Sequence, residues 1–328
     1  MRRPEERPPA SEPPPTRRTR DAGRARARGQ QVAGVALTHP DRALYPEQGV
    51  TKLALARYYA QIEDWILPGL RRRPLALVRC PQGRAEQCFF QKHPGQALSE
   101  DIPRVSIREK EGTAPYLYVA RLRDLVALVQ AGTLELHVWG SRIDDLERPD
   151  ILVFDLDPGD GVAWPAVLHA ARSLRERLEG GLGLASFVRT TGGKGLHVVV
   201  PLEPSLGWDA VKAFARGVAG AHARDDRQRF TTHPSKSKRK GRIFLDYLRN
   251  ARGATAIASY STRAREGAPV AVPVRWDELD PALTSDRYGI GNLRRRLSAL
   301  HADPWAEFER ARRALTASML DAVGARRS

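Results

Sequence analysis

Strand-length apolar runs alternate with amphipathic helical runs along most of this sequence, with no internal repeat or long linker. That pattern predicts one α/β (α+β) unit, a sheet core flanked by helices, over residues 32–328. A chain of 328 residues is long enough for one large domain or two modest ones with a well-buried core. Its 41% of hydrophobic residues is ordinary for a soluble globular protein. Residues 1–31 differ: six prolines and nine arginines, with no aromatic and no Leu, Ile or Val. Such a stretch cannot bury enough apolar surface to offset its ordering entropy, and a disordered basic tail is expected there.

The elements follow in order. Thr51 can cap a helix in which Leu55, Tyr59, Ile62 and Ile66 share a face, and Pro68 is expected to end it. Leu75–Arg79 and Phe89–Gln91 read as strands, and Leu122–Ala131 as a helix with Gly132 just past its end. Strands at Leu134–Trp139 and Ile151–Asp157 precede an amphipathic helix at Trp164–Glu179. Strands at Ser186–Arg189 and Leu196–Pro201, a helix over Trp208–Ala223, and strands at Arg242–Leu248 and Thr255–Tyr260 come next. From Pro304 to about residue 326 the chain reads as helix. An N-terminal subdomain up to about residue 140 and a catalytic core over about 134–300 are the expected subdivision.

The charge balance is unusual. Lys+Arg 54 against Asp+Glu 38 leaves +16. An Arg-rich background (46 of the 54) does not explain the excess over acids, whereas a polyanionic partner does, because neutralised phosphates release counterions. The tail's nine arginines against four acids leave +5 there, so the remainder carries +11. Cys80 and Cys88 form no C-x2-C pair, no zinc site can be completed, and two small buried thiols in a reducing cytoplasm are expected. No apolar run approaches the roughly 18–20 residues of a membrane span, and no apolar h-region follows the N-terminus.

Ile151-Leu-Val-Phe-Asp-Leu-Asp-Pro-Gly-Asp-Gly161 is the strongest local signal. Side chains alternate along a strand, so Asp155 and Asp157 share a face, and Pro158-Gly159 places them at the strand's rim. Two carboxylates there repel unless a cation lies between them, and hard oxygen ligands suit Mg²⁺ or Mn²⁺. Strand-end acids bonded to a loop are the competing reading. Asp246, in Ile243-Phe-Leu-Asp246, adds a third carboxylate expected mid-strand on the face of Phe244 and Leu248. If the two strands are neighbours, a site for two metal ions roughly 3.5–4 Å apart results.

Arg189-Thr-Thr-Gly-Gly-Lys-Gly-Leu-His197 adds a glycine turn whose N–H groups can face an anion, with Lys194 and His197 beside it; a buried structural histidine is the alternative. Lys236, Lys238, Arg239, Lys240 and Arg242 form a basic loop running into Asp246. Phe89 and Phe90, beside Lys92, are either core aromatics or a platform on which a base stacks.

Taken together, "HPDRALYPEQGVTK", "RPLALVRCPQG", "FFQKH", "LELHVWGSR", "LVFDLDPGDGV", "TTGGKGLHVVVPL", "FLDYLRNARGATAIASYSTRAR" and "VPVRWDEL" resemble the polymerase domain of bacterial non-homologous end-joining DNA ligase D, in the archaeo-eukaryotic primase superfamily. The segments run in the family's order from about residue 36 to 300. The resemblance implies a primase-like catalytic core of mixed and antiparallel sheets and a template-dependent nucleotidyltransferase acting in double-strand break repair. It implies Asp155, Asp157 and Asp246 as ligands of two Mn²⁺ or Mg²⁺ ions. Thr191, Lys194, His197, Arg239, Arg249 and Arg263 would hold an incoming NTP or dNTP, with His137 near its sugar. Lys52 and Arg42 would bind the 5′-phosphate of a gapped DNA end, Phe89, Phe90 and Lys92 would meet the template, and ribonucleotides would be preferred.

Departures from the family pattern are Arg42 for Lys, Thr191 for Ser, Arg249 where Gln also occurs, and Ser259 where Pro is common. No K-x-D-G segment is present, so ligation is expected from a separate DNA ligase, with a Ku-like protein as a further partner. De novo priming, a D-x-D glycosyltransferase and a catalytically dead end-binding module are the rival readings. The basic body and Asp246 argue against the second, and the full set of site residues against the third. Deleting residues 1–31 is expected to weaken DNA affinity and lower its salt dependence while sparing extension at saturating DNA, as measured by binding at several salt concentrations beside a primer-extension assay.

Overall fold

The computed structural model describes residues 30–325, so the expected tail lies outside the described residues except for Gln30 and Gln31. Gln31 already pairs in a short hairpin, Gln31–Val32 with Val35–Ala36.

Two larger sheets carry the fold. In chain order, β1 (Leu75–Arg79), β2 (Phe89–Gln91) and β3 (Thr133–Val138) belong to the first. The second takes β4 (Ile151–Pro158), β5 (Phe187–Thr190), β6 (Leu196–Pro201), β7 (Phe230–Thr231) and β8 (Ile243–Asp246). Then β9 (Ala256–Ile257) returns to the first sheet and β10 (Pro273–Val274) to the second. The orders are β9–β3–β1–β2 and β7–β8–β4–β6–β5–β10. Every pairing in both is antiparallel except β7 with β8. This is the mixed α+β architecture expected.

The helices are α1 (Lys52–Gln61), α2 (Glu63–Leu70), α3 (Leu122–Gln130), α4 (Trp164–Glu176), α5 (Trp208–Asp225), α6 (Ile290–Ala299) and α7 (Ala317–Ala322). Among the described residues no helix is long and apolar enough to cross a membrane. Both α4 and α5 pack on the second sheet, α4 over β4 and β6 and α5 over β4 and β8. Period-two alternation decides which face they cover. Leu152, Phe154 and Leu156 of β4, with Leu196, Val198 and Val200 of β6, join the main core with the helices. The intervening positions face the other way. Val153 and Val199 there form a separate apolar cluster with Ala256 and Phe308, and beyond it on the same face come the acidic positions of β4.

Several expectations need correction. The Thr51 cap is present, its hydroxyl accepting from the Ala54 N–H at 3.1 Å. The helix breaks at Ile62 rather than at Pro68, which lies inside α2; burial of Ile66, Leu67 and Leu70 holds that turn despite the missing donor. The expected helix from Pro304 is confined to Ala317–Ala322. The reason is tertiary: Arg313 pairs with Leu202 at the end of β6, and Trp305 and Phe308 pack edge-on against Phe187, so this segment lies along the sheet. The hairpin Arg104–Glu109 with Gly112–Leu117, and α6, lie outside the expected elements.

The two cysteines form a disulfide instead of buried thiols. Antiparallel register accounts for this: Arg79 faces Phe89, so Cys80 and Cys88 are the next opposed pair, with Cα atoms 4.3 Å apart. A buried ion pair ties the sheets to the C-terminal segment. Arg73 donates to both Asp150 carboxylate oxygens at 2.6 and 2.8 Å, and Arg312 reaches one of them at 3.2 Å. Burial alone would raise the Asp150 pKa, but the two guanidinium groups hold it below its ordinary value.

Asp150→Asn, which leaves the Arg73 charge buried and underpaired, is expected to lower unfolding free energy by about 3–5 kcal/mol in urea denaturation. Replacing both cysteines by serine is expected to cost about 2–3 kcal/mol in the same measurement, because the bond closes a loop with a sequence separation of 8.

Candidate functional site

The site grows out of strand register. β4 lies between β8 and β6, with Asp155 opposite both Asp246 and His197. His197 in turn lies opposite Arg189 on β5. Directly opposed residues of antiparallel strands project to the same face, so Asp246, Asp155, His197 and Arg189 form one row across four strands. Asp157, one pleat further along β4, faces Phe244. The three carboxylates singled out in the sequence therefore stand together. Asp246 ends its strand rather than sitting within it, and Leu248 already belongs to the following 3₁₀ turn, Leu248–Asn250.

That turn matters because it aims Arg249 back at the row. Arg249 lies 3.3 Å from an Asp155 oxygen and 3.2 Å from an Asp246 oxygen. Arg239 holds Asp157 at 2.5 Å and lies over the Phe244 ring at 4.0 Å. Burial alone would raise the Asp155 carboxyl, but the His197 N–H and the guanidinium groups of Arg249 and Arg263 more than offset it, to about 2. Asp157 and Asp246 are raised instead, by burial and by the neighbouring Asp155 charge. Among the described residues no three acidic or imidazole side chains stand in metal-binding geometry. The donor set nevertheless fits a hard divalent cation: three oxygen donors, two destabilised by repulsion that such a cation relieves, on adjoining strands. The arginines supply positive charge to those oxygens in this arrangement.

The glycine turn lies between β5 and β6. Gly195 presses on β4 so closely that a Cβ would come 2.1 Å from the Leu156 carbonyl oxygen, so only glycine brings the loop against the acidic strand. Thr191, expected to hold nucleotide, spends its hydroxyl on the turn, donating to the Gly195 carbonyl at 3.0 Å and lying 3.1 Å from the Ser285 hydroxyl. Lys194 at the tip is exposed. Gly159, after Asp157, packs against the basic loop, where a Cβ would come 1.9 Å from the Arg239 carbonyl oxygen.

A second group lines β3. Glu135 bonds His137 at 2.8 Å and pairs with Arg263 at 3.1 Å, and Arg263 also donates to the Thr191 carbonyl at 2.7 Å. Burial would raise Glu135, but His137 and Arg263 bring it to about 2, while burial lowers His137. Thus β3 is linked to the glycine turn. Phe90 sits edge-on to His137 at 5.8 Å, and Phe89 and Phe90, 41% and 52% exposed, project from β2 as a surface pair with Lys92 exposed beside them. The core alternative for the pair is thereby set aside.

Lys52 and Arg42 are neighbours, but the Lys52 ammonium is buried and only Arg42 is half-exposed. Lys52 is 3% exposed and donates to the Thr38 and Gln130 carbonyls at 2.8 and 3.1 Å, and Arg42 donates to the Pro81 carbonyl at 2.9 Å. Burial, and then Arg42, lowers the Lys52 pKa.

Sequence reasoning missed Glu135, Ser285 and Arg189. Glu135 was legible, since two residues before His137 on a strand means the same face. Arg189 was legible from the short turn that sets β5 against β6. Ser285 was not, being 94 residues from the threonine it meets.

A family model described as "LigD, primase-polymerase domain" matches residues 51–305. The chain is 41% identical over 313 residues to the multifunctional non-homologous end joining protein LigD of Pseudomonas aeruginosa, covering 95% of this chain and 37% of that protein. It is 36% identical over 257 residues to the protein of that name from Mycolicibacterium smegmatis, covering 77% and 34%. The chain thus spans about a third of the length of these relatives. A solved structure, the polymerase domain from Mycobacterium tuberculosis ligase D in complex with DNA, is similar with a TM-score of 0.78 and 30% identity, over 86% of this chain and 99% of that one. The family match takes in both sheets and the whole acidic row, and the chain belongs to the LigD primase-polymerase domain family.

Proposed function

We propose that this chain is a template-dependent nucleotidyltransferase that fills gaps and extends DNA ends during non-homologous end joining. The observation that carries the reading is the row Asp246–Asp155–His197 with Asp157 one pleat on, flanked by a glycine turn and a basic loop. Carboxylates alone would repel a triphosphate; carboxylates flanked by Arg239, Arg249 and Arg263, with Lys194 exposed on the glycine turn, suit one that arrives with cations. In the reaction a primer 3′-hydroxyl attacks the α-phosphate of an NTP or dNTP, a new P–O bond forms, and pyrophosphate leaves. Asp155, Asp157 and Asp246 would hold two Mn²⁺ or Mg²⁺ ions, which when bound stabilise negative charge on the attacking and leaving oxygens. Binding the triphosphate falls to Lys194, Arg239 and Arg263, with His197 donating from the row and Arg249 releasing the carboxylates. His137, fixed by Glu135, would face the sugar and set a preference for ribonucleotides.

Phe90, exposed on the face of β2 that meets His137, would offer the template base a stacking surface, with Lys92 on the same face for the backbone and Phe89 exposed on the opposite face. Lys52 and Arg42 would contribute a positive field to a 5′-phosphate across a gap, direct contact requiring the Gln130 carbonyl and amide to give way. Residues 32–328 would act as one polymerase unit, with a Ku-like protein as a partner.

The test is primer extension on a one- or two-nucleotide gap bearing a 5′-phosphate, with ribo- or deoxynucleotides and Mn²⁺ or Mg²⁺. Asp155→Ala and Asp246→Ala are each expected to lower templated addition by at least about a hundredfold while binding DNA as wild type does. Wild-type protein that binds gapped DNA but adds nothing would replace this reading with an end-binding module.

A further inference from the structure

Arg189 is the least expected member of the row. It is 5% exposed, yet among the described residues its guanidinium makes no ion pair. Its Nε and Nη2 atoms lie 3.2 and 3.1 Å from His197 Nδ1, and its Nη1 lies 3.1 Å from the Ser259 hydroxyl. The Trp305 ring covers it at 5.9 Å, and Trp305 is itself fixed by its indole N–H on the Val188 carbonyl at 3.1 Å. A buried guanidinium without a carboxylate is costly, and a fold does not need one to bridge a histidine and a serine.

Hydrogen-bond chemistry says what it does there. A guanidinium has donors only, so the imidazole nitrogen it meets must accept. Two of its N–H groups converge on Nδ1, which leaves the ring proton of a neutral His197 on Nε2. That atom points the other way along the row, 3.5 Å from an Asp155 oxygen. Without Arg189, the Nδ1–H form would also be open to the ring, and Nε2 would turn an acceptor lone pair toward the place where phosphate oxygens are to be bound. An Nδ1 that accepts from a guanidinium carries no proton, so the ring in this arrangement is neutral with its proton on Nε2.

We propose that Arg189 is a positioning residue that locks His197 as the Nε2–H tautomer, so that His197 presents a donor to the carboxylate row and to the nucleotide's phosphate. The idea deepens the polymerase reading and rests on it for the phosphate, while the tautomer itself is a property of the protein alone. Arg189 touches neither phosphate nor acid, and acts through the imidazole. Its own pKa is lowered to about 9, by burial first, with Asp155 opposing and Arg73 adding to the effect, so it remains a cation at neutral pH.

The first measurement needs no variant of Arg189. In ¹⁵N-histidine-labelled wild-type protein, the His197 resonances, assigned by their loss in His197→Gln, are expected to show a protonated Nε2 and a bare Nδ1 at pH 7. A protonated Nδ1, or an averaged mixture, overturns the proposal even if polymerisation is robust. Conversely, a locked Nε2–H tautomer in a protein that adds no nucleotide keeps this assignment and removes the polymerase reading. The second measurement is a double-mutant cycle on kcat/KM for the nucleotide. Arg189→Met is expected to lower it roughly tenfold or more in the wild-type background and to have almost no further effect in His197→Gln. Equal losses in both backgrounds would assign Arg189 to the fold alone.

Discussion

Everything near the site answers to one electrostatic constraint: three carboxylates are held on one face at the rim of a sheet whose other face is solid hydrocarbon. β4 cannot turn its acids inward, because Leu152, Phe154 and Leu156 are already committed to α4 and α5. Nor can it separate them, because register puts Asp155 opposite Asp246. The surrounding chain therefore brings cations to them. Arg249 straddles two of the acids, Arg239 holds the third, and the His197–Arg189 pair continues the row on the far side. The positive groups that make the acids tolerable are the ones proposed above to meet a triphosphate.

The 3₁₀ turn Leu248–Asn250 shows how closely fold and site are joined. β8 pairs with β4 only from Asp155 to Pro158, which leaves the Val153 peptide without a strand partner on that side. Asn250 takes its place, accepting from the Val153 N–H at 2.7 Å and donating to the Val153 carbonyl at 2.8 Å. A side-chain amide thus mimics one more residue of strand and satisfies a buried peptide. The same turn swings Arg249 over the carboxylates. At the other end of the face, Trp305 and Phe308 form a stacked aromatic pair, and Phe308 joins Val153 and Val199 in one apolar cluster.

Much of this is legible in the order of the residues. Period-two alternation in Ile151–Asp157 places both acids on one face, and residue type and spacing mark the glycine turn, His197 and the basic loop. The helix at Thr51, the strands of both sheets other than the edge strands β7 and β10, and the helices at Trp164 and Trp208 follow from periodicity and capping. Ends and partners are where local reading fails. The run after Pro304 has helical composition, but its aromatics Trp305 and Phe308 pack on the sheet against Phe187, Val153 and Val199. Pro68 looks like a stop, yet neighbouring apolar side chains carry the helix through it. Cys80 and Cys88 read as unrelated thiols until the β1–β2 register opposes them.

Local sequence therefore determined which residues are acidic, basic or apolar and which way each strand turns them, because those depend on side-chain chemistry and a period of two. The tertiary structure alone decided that Asp246 comes to Asp155, that Arg249 reaches across to Asp155, and that Glu135 meets Arg263. Each of those is a pairing between strands or turns distant in the chain. Such pairings are set by how sheets stack and where a turn closes, and no local pattern encodes them.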